Sequence, residues 1–160
     1  MPIEAGSHKS KLYTDVTKEI MAVLQGETNP TAKMATVACM LSQAFDHFFW
    51  TGFYLIDPED PETLVVGPYQ GTLGCLRIAF GRGVCGLAAQ SRTTQIVADM
   101  HAHPNHIACD SRSNSEIVVP VFDAAGGLMA VLDVDSTAFG AFDEIDAQHL
   151  EGLMRGLFSK

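Results

Sequence analysis

Apolar residues near the amino terminus recur every three or four positions. Leu12, Val16, Ile20, Val23 and Leu24 form one stripe, which predicts a helix over residues 11–25 with Ser10 as its cap and Gly26 as its stop. After the turn GETNP a second stripe, Met34, Val37, Ala38, Leu41 and Phe45, predicts a helix over 30–45 with Pro30 in its first turn. Cys39 falls inside this helix, where a thiol serves as a small buried hydrophobe. At Trp50 the period drops to two. WTGFYLI and TLVVGPYQ predict a hairpin around DPEDPE, and LRIAF predicts a third short strand. GRG leads into a small helix, VCGLAAQS, and TTQIVADM predicts a fourth strand before the His-rich loop HAHPNHIACDSRSNS. EIVVPVF and GLMAVLDVDS predict a closing hairpin through DAAGG, and FDEIDAQHLEGLMRGLF an amphipathic last helix capped by Asp143. The fold class expected is α+β, a mostly antiparallel sheet with helices at both ends. One domain, 1–160, divides into a helical segment 11–45, a sheet with its loops 50–136 and a carboxy-terminal helix 142–158.

Composition narrows the class. At 160 residues, 47% hydrophobic and 18% charged, the chain suits one globular domain rather than a disordered one. A net charge of −9 without any Lys/Arg run excludes a nucleic-acid partner. No run approaches the roughly 18 apolar residues of a membrane span, and the first residues lack the apolar core of a signal peptide. A cytoplasmic protein without a membrane partner is the expectation. In that reducing compartment Cys39, Cys75, Cys85 and Cys109 are expected as thiols, metal ligands or catalytic groups rather than structural disulfides.

Three of those cysteines sit in or beside loops rich in Gly, Ser and Asp. Cys75, Cys85 and Cys109 form no CxxC, so neither a zinc ribbon nor a thioredoxin-type motif applies. Either they are unrelated small residues or they react as thiolates, and the helix start at Val84–Cys85 is a place where a thiolate gains stability. Zinc is a competing reading. His101, His103, His106 and Cys109, with Cys75 or Cys85, supply enough ligands, but their spacing fits no structural zinc pattern, and no metal is expected. Glu116 opens one strand of the closing hairpin, and Asp133 and Asp135 end the other on one face. Carboxylates gathered in a partly dry pocket cannot all ionise, which leaves one as a proton donor near neutral pH; left in water they are only a solvated edge. Trp50 and Tyr54 share a strand face and suit either the core or a small pocket for a methyl or cationic sulfur group.

WTGFYLI, GPYQG, GCLRIAFGRGVCG, HIACDSRSNSEIVVPVF and AVLDVDS followed by FDEIDAQHLEGL together resemble the free methionine-(R)-sulfoxide reductases, single-domain proteins of the GAF fold. The resemblance implies a GAF-like α+β fold, with about six strands, the first, second and last helices on one face and the pocket on the other. It implies Cys109 as the catalytic thiol, Cys75 as its usual resolving partner and Cys85 as a third redox-active thiol. Trp50, Tyr54, Glu116, Asp133 and Asp135 fall where the family contacts its substrate. Glu116 is the first candidate for the acid that protonates the sulfoxide oxygen, with Asp133 or Asp135 the alternative. The resemblance further implies thioredoxin or an equivalent as external reductant, no bound cofactor, and a homodimer. The rival reading is a non-catalytic GAF module that senses a nucleotide-type small molecule.

Overall fold

The computed structural model describes residues 2–104 and 110–160, with side chains from residue 6 onward. Along the chain run α1 (Pro2–Val23), α2 (Pro30–Ala44), β1 (Trp50–Asp57), β2 (Asp60–Gln70), β3 (Arg77–Ala79), α3 (Gly83–Ser91), β4 (Gln95–Val97), β5 (Ser115–Phe122), β6 (Leu128–Ser136) and α4 (Glu144–Phe158). The strands form one sheet in the order β3-β2-β1-β6-β5-β4, and every neighbouring pair is antiparallel.

Strand alternation divides the interior in two. Phe53, Ile117, Val119, Leu132 and Val134 point to one face and meet α1, α2 and α4. Trp50, Tyr54, Val118 and Val131 point to the other and meet α3 and β3. Because successive side chains on a strand take opposite faces, β1, β5 and β6 feed both layers at once. Among the described residues no helix is long and apolar enough to cross a membrane.

Five expectations change. Helix α1 starts at Pro2, so Ser10 is a mid-helix residue whose hydroxyl meets His149 Nε2 at 2.9 Å. Pro2 is itself a favourable first-turn residue, and the helix runs on through Gly6. The buried stripe is Tyr13, Val16, Ile20 and Leu24, whereas Leu12 and Val23 reach solvent. Tyr13 sets that rotation: its hydroxyl donates to Asp146 at 2.5 Å, and its ring stacks on His149 with centroids 5.0 Å apart. The first hairpin closes more tightly than DPEDPE suggests, with Asp57 opposite Asp60 and the Glu59 N–H donating to Asp57 at 3.0 Å. The fourth strand is only Gln95–Val97, since Asp99 accepts from the His101 N–H at 3.0 Å and starts a short 3-10 turn. Cys39 is half-buried rather than a core residue.

The last helix begins where the sequence places it. Asp143 accepts from the Ile145 and Asp146 amides while Asp146 reaches back to the Asp143 N–H, a reciprocal cap. Asp146 is fully buried and also accepts from Lys9 Nζ at 2.8 Å, tying α1 to α4.

Candidate active site

Sheet register brings the acids together. Glu116 on β5 lies opposite Asp135 on β6, and Val118 lies opposite Asp133. On the far side of β6, Trp50 pairs with Asp135 and Gly52 with Asp133. Alternation then sends Glu116, Asp133, Asp135, Trp50 and Tyr54 to the face away from the three long helices. They line one hollow, with Ile78 and Met100 at its sides and Gly83, Val84 and Cys85 of the α3 first turn as a wall.

Protons in this cluster have an order. Burial raises the pKa of all three carboxyls. Glu116 and Asp135 both rise well above the ordinary range; for Glu116 burial is joined by the charges of Asp133 and Asp135, to both of which it donates hydrogen bonds. Asp133 is held back by hydrogen bonds from Glu116, Cys85 and Asp135, so it is the anion of the set. Asp133 Oδ1 and Asp135 Oδ1 are buried with no hydrogen-bond partner among the described residues. Two orphan acceptors side by side are costly unless a donor, best a cation, arrives to satisfy them.

Cys85 reverses an expectation. It is a free, buried thiol at the start of α3, but burial first and the charge of Asp133 next push its pKa well above the ordinary range. The helix start does not offset the acids that face it, and the thiol keeps its proton and donates it toward Asp133. Cys75 is disulfide-bonded. Cys109 and His106 lie outside the described residues.

Trp50 forms the aromatic wall, stacked on Tyr69 at 4.9 Å and on Tyr54 at 5.7 Å between centroids. Its indole N–H donates to the Thr72 carbonyl at 2.8 Å. The β2–β3 connection, residues 71–76, lies directly on that ring. A Cβ at Gly74 would stand 2.9 Å from Trp50 and 3.0 Å from the Tyr54 hydroxyl, so only glycine permits the approach. Tyr54 stays a phenol, its pKa raised by burial and by Asp133.

Sequence reasoning assigned no role to the tie between two distant loops. The Thr72 hydroxyl donates to Asp110 at 2.8 Å, and Asp110 also accepts from the Arg112 amide at 3.0 Å and its guanidinium at 2.8 Å. These donors hold the Asp110 carboxyl well below the usual range, while the Arg112 guanidinium sits 5.0 Å from the Phe49 ring centre. The local half was readable, since Asp110 followed two residues later by a bonded amide is an Asx turn. The Thr72 half depends on the fold.

The His-rich zinc set is not assembled among the described residues. His101 bonds Asn114 at 2.8 Å, and the potential ligand atoms that do converge, within 4.8 Å of one another, belong to Cys85, Glu116 and Asp133.

This arrangement matches a known class. Residues 34–157 fit the family model of the GAF domain, so the protein is a GAF-domain protein. Free methionine-R-sulfoxide reductase of Escherichia coli (strain K12) is 41% identical over 150 residues, covering 94% of this chain and 88% of that one. The reductase of the same name from Saccharomyces cerevisiae is 34% identical over 152 residues, covering 92% and 84%. The solved structure of free methionine-R-sulfoxide reductase from Neisseria meningitidis, in complex with its substrate, superposes with a TM-score of 0.88 at 48% identity, covering 93% and 87%. The chain belongs to the free methionine-R-sulfoxide reductase family.

Proposed function

We propose that this protein reduces free L-methionine (R)-sulfoxide to methionine at the expense of a dithiol. The observation that carries this reading is the pair of buried oxygens on Asp133 and Asp135, unpartnered among the described residues, beside the buried Glu116 carboxyl and beneath Trp50. A substrate ammonium supplies the donors those oxygens lack. The amide end of α3 borders the same hollow and no side chain caps it, which suits the substrate carboxylate. The Trp50 and Tyr54 rings suit the methyl sulfoxide end. Relatives that bear the name of this activity, one of them solved with its substrate, support the assignment, and the (R) preference rests on them.

The reaction needs an acid, a nucleophile and a second thiol. Glu116 donates its proton to the sulfoxide oxygen, making the sulfur electrophilic. The Cys109 thiolate attacks that sulfur; methionine departs and the oxygen remains on Cys109 as a sulfenic acid. The Cys75 thiol then attacks the sulfenic sulfur, forming a disulfide and releasing water. A thioredoxin-type dithiol returns two electrons and two protons by exchange and is itself oxidised to a disulfide. The disulfide at Cys75 supports its resolving role. Cys85, protonated and buried, suits a reserve thiol better than the attacking one.

Incubation with dithiothreitol and racemic free methionine sulfoxide should consume about half of the substrate, as a stereospecific enzyme requires. A methionine-sulfoxide peptide should not react, because its amidated nitrogen cannot enter as an ammonium. Equal turnover of the peptide would sink the free-amino-acid reading, and no consumption of either would favour a sensor. Cys109→Ser should abolish methionine formation. Cys75→Ser should still release methionine in a single turnover but fail to cycle, and Cys85→Ser should retain the single turnover.

A further inference from the structure

The loop on Trp50 carries two exposed leucines, of which Leu73 also borders the mouth of the hollow. Leu73 is 77% exposed and Leu76 69% exposed, more than any other large apolar side chain among the described residues. Between them lies Cys75, half-buried and disulfide-bonded. The loop is held from below against the sheet. Its underside is taken by the contact of Gly74 with Trp50 and Tyr54, by the Trp50 N–H on the Thr72 carbonyl, and by the Thr72 hydroxyl on Asp110. The Leu76 carbonyl is fixed as well, accepting from the Val66 N–H at 3.0 Å. Isolated surface leucines are ordinary, but here a disulfide lies between two of them on a pinned loop.

We infer that Leu73 and Leu76 are the docking surface for the dithiol protein that reduces the Cys75 disulfide; the inference rests on the reductase reading above. A disulfide opens only when a thiolate reaches one of its sulfurs, so a reductant that attacks Cys75 must come against this loop. The attacking thiolate forms a mixed disulfide with the Cys75 sulfur and expels its former partner, which takes up a proton. The reductant's second thiol then displaces Cys75, and the reductant leaves as a disulfide. A protein gains affinity by covering the two leucines, whereas a small dithiol gains nothing from them. Size favours this occupant over a second copy of the chain. A two-residue apolar patch falls far short of the roughly 1,200–2,000 Å² of a stable interface, and transient redox encounters are the kind that manage with less.

Steady-state kinetics with two electron donors separates the outcomes. In Leu76→Ser, turnover driven by dithiothreitol should equal that of the parent. The KM for reduced thioredoxin, maintained by thioredoxin reductase and NADPH, should rise about tenfold, the loss typical of an interface anchor. Leu76→Met should restore it. Overturning results are an unchanged KM for thioredoxin, an equal loss with both donors, or a change from dimer to monomer in sedimentation at unchanged KM. A parent that cycles with dithiothreitol but never with thioredoxin removes the protein reductant and its docking surface together. A parent that forms no methionine with either donor refutes the reductase reading itself.

Discussion

Glu116 illustrates how a residue's chemistry follows from its neighbours. Its carboxyl differs from the many surface carboxyls of this acidic chain only in being buried against Asp133 and Asp135, and that is enough to keep it neutral. Glu116→Gln keeps the shape and removes the transferable proton. The rate of sulfoxide reduction should fall by about 10² to 10⁴, the usual worth of a general acid, in stopped-flow single turnovers, while alkylation of Cys109 continues. An unchanged rate would remove Glu116 from the mechanism. At this scale the sequence is informative wherever a strand carries the residue. Period-two alternation alone groups Trp50 with Tyr54 and Asp133 with Asp135, and a hairpin puts Glu116 beside them. Cys85 is where local reasoning fails. Its helix start argues for a thiolate, but the deciding acids come from β5 and β6, which no local window contains. Thr72 and Asp110 escape for the same reason, since each is an unremarkable polar residue until the fold joins them.

Among the elements, α1 and α4 depend on one buried carboxylate. Asp146 receives the Tyr13 hydroxyl, the Lys9 ammonium and the Asp143 amide while lying wholly out of water. Asp146→Ala strands all three donors and should lower stability by about 3 kcal/mol or more in urea unfolding, as expected when one partner of a buried pair is removed. Asp143→Ala removes only the cap and should cost about 1 kcal/mol. A ranking in the opposite order would show that the cap, not the clasp, holds α4. The cap was legible from Asp143 ahead of an apolar stripe. The clasp was not, because a first-turn Asp146 reads as a solvated capping residue until Tyr13 and Lys9 of the first helix arrive. The same clasp accounts for the rotated face of α1: the tyrosine, more than the regular spacing of Leu12 and Val23, decides which side is buried.

For the whole molecule the acid cluster sets a dependence of stability on pH. Glu116 and Asp135 have raised folded-state pKa values, so the folded chain holds protons that the unfolded chain has lost. Their contribution is complete below the ordinary carboxylate range, near about pH 4, and declines as pH rises toward the folded values. Asp57 and Asp143, held below the ordinary range, act in the opposite sense and lose their contribution as pH falls through those lower values. Thermal unfolding should therefore show Tm declining as pH rises above the ordinary carboxylate range, with a shallower slope in Glu116→Gln. A slope that Glu116→Gln leaves unaltered would mean that other groups carry it.

The orphan oxygens of Asp133 and Asp135 have a further consequence once a cation enters. An ammonium next to Asp135 favours its ionised form, so capture of the amino acid should expel hydrogen ions into the medium. Heats of mixing with methionine would then vary with the ionisation enthalpy of the buffer, and Asp135→Asn would erase that variation.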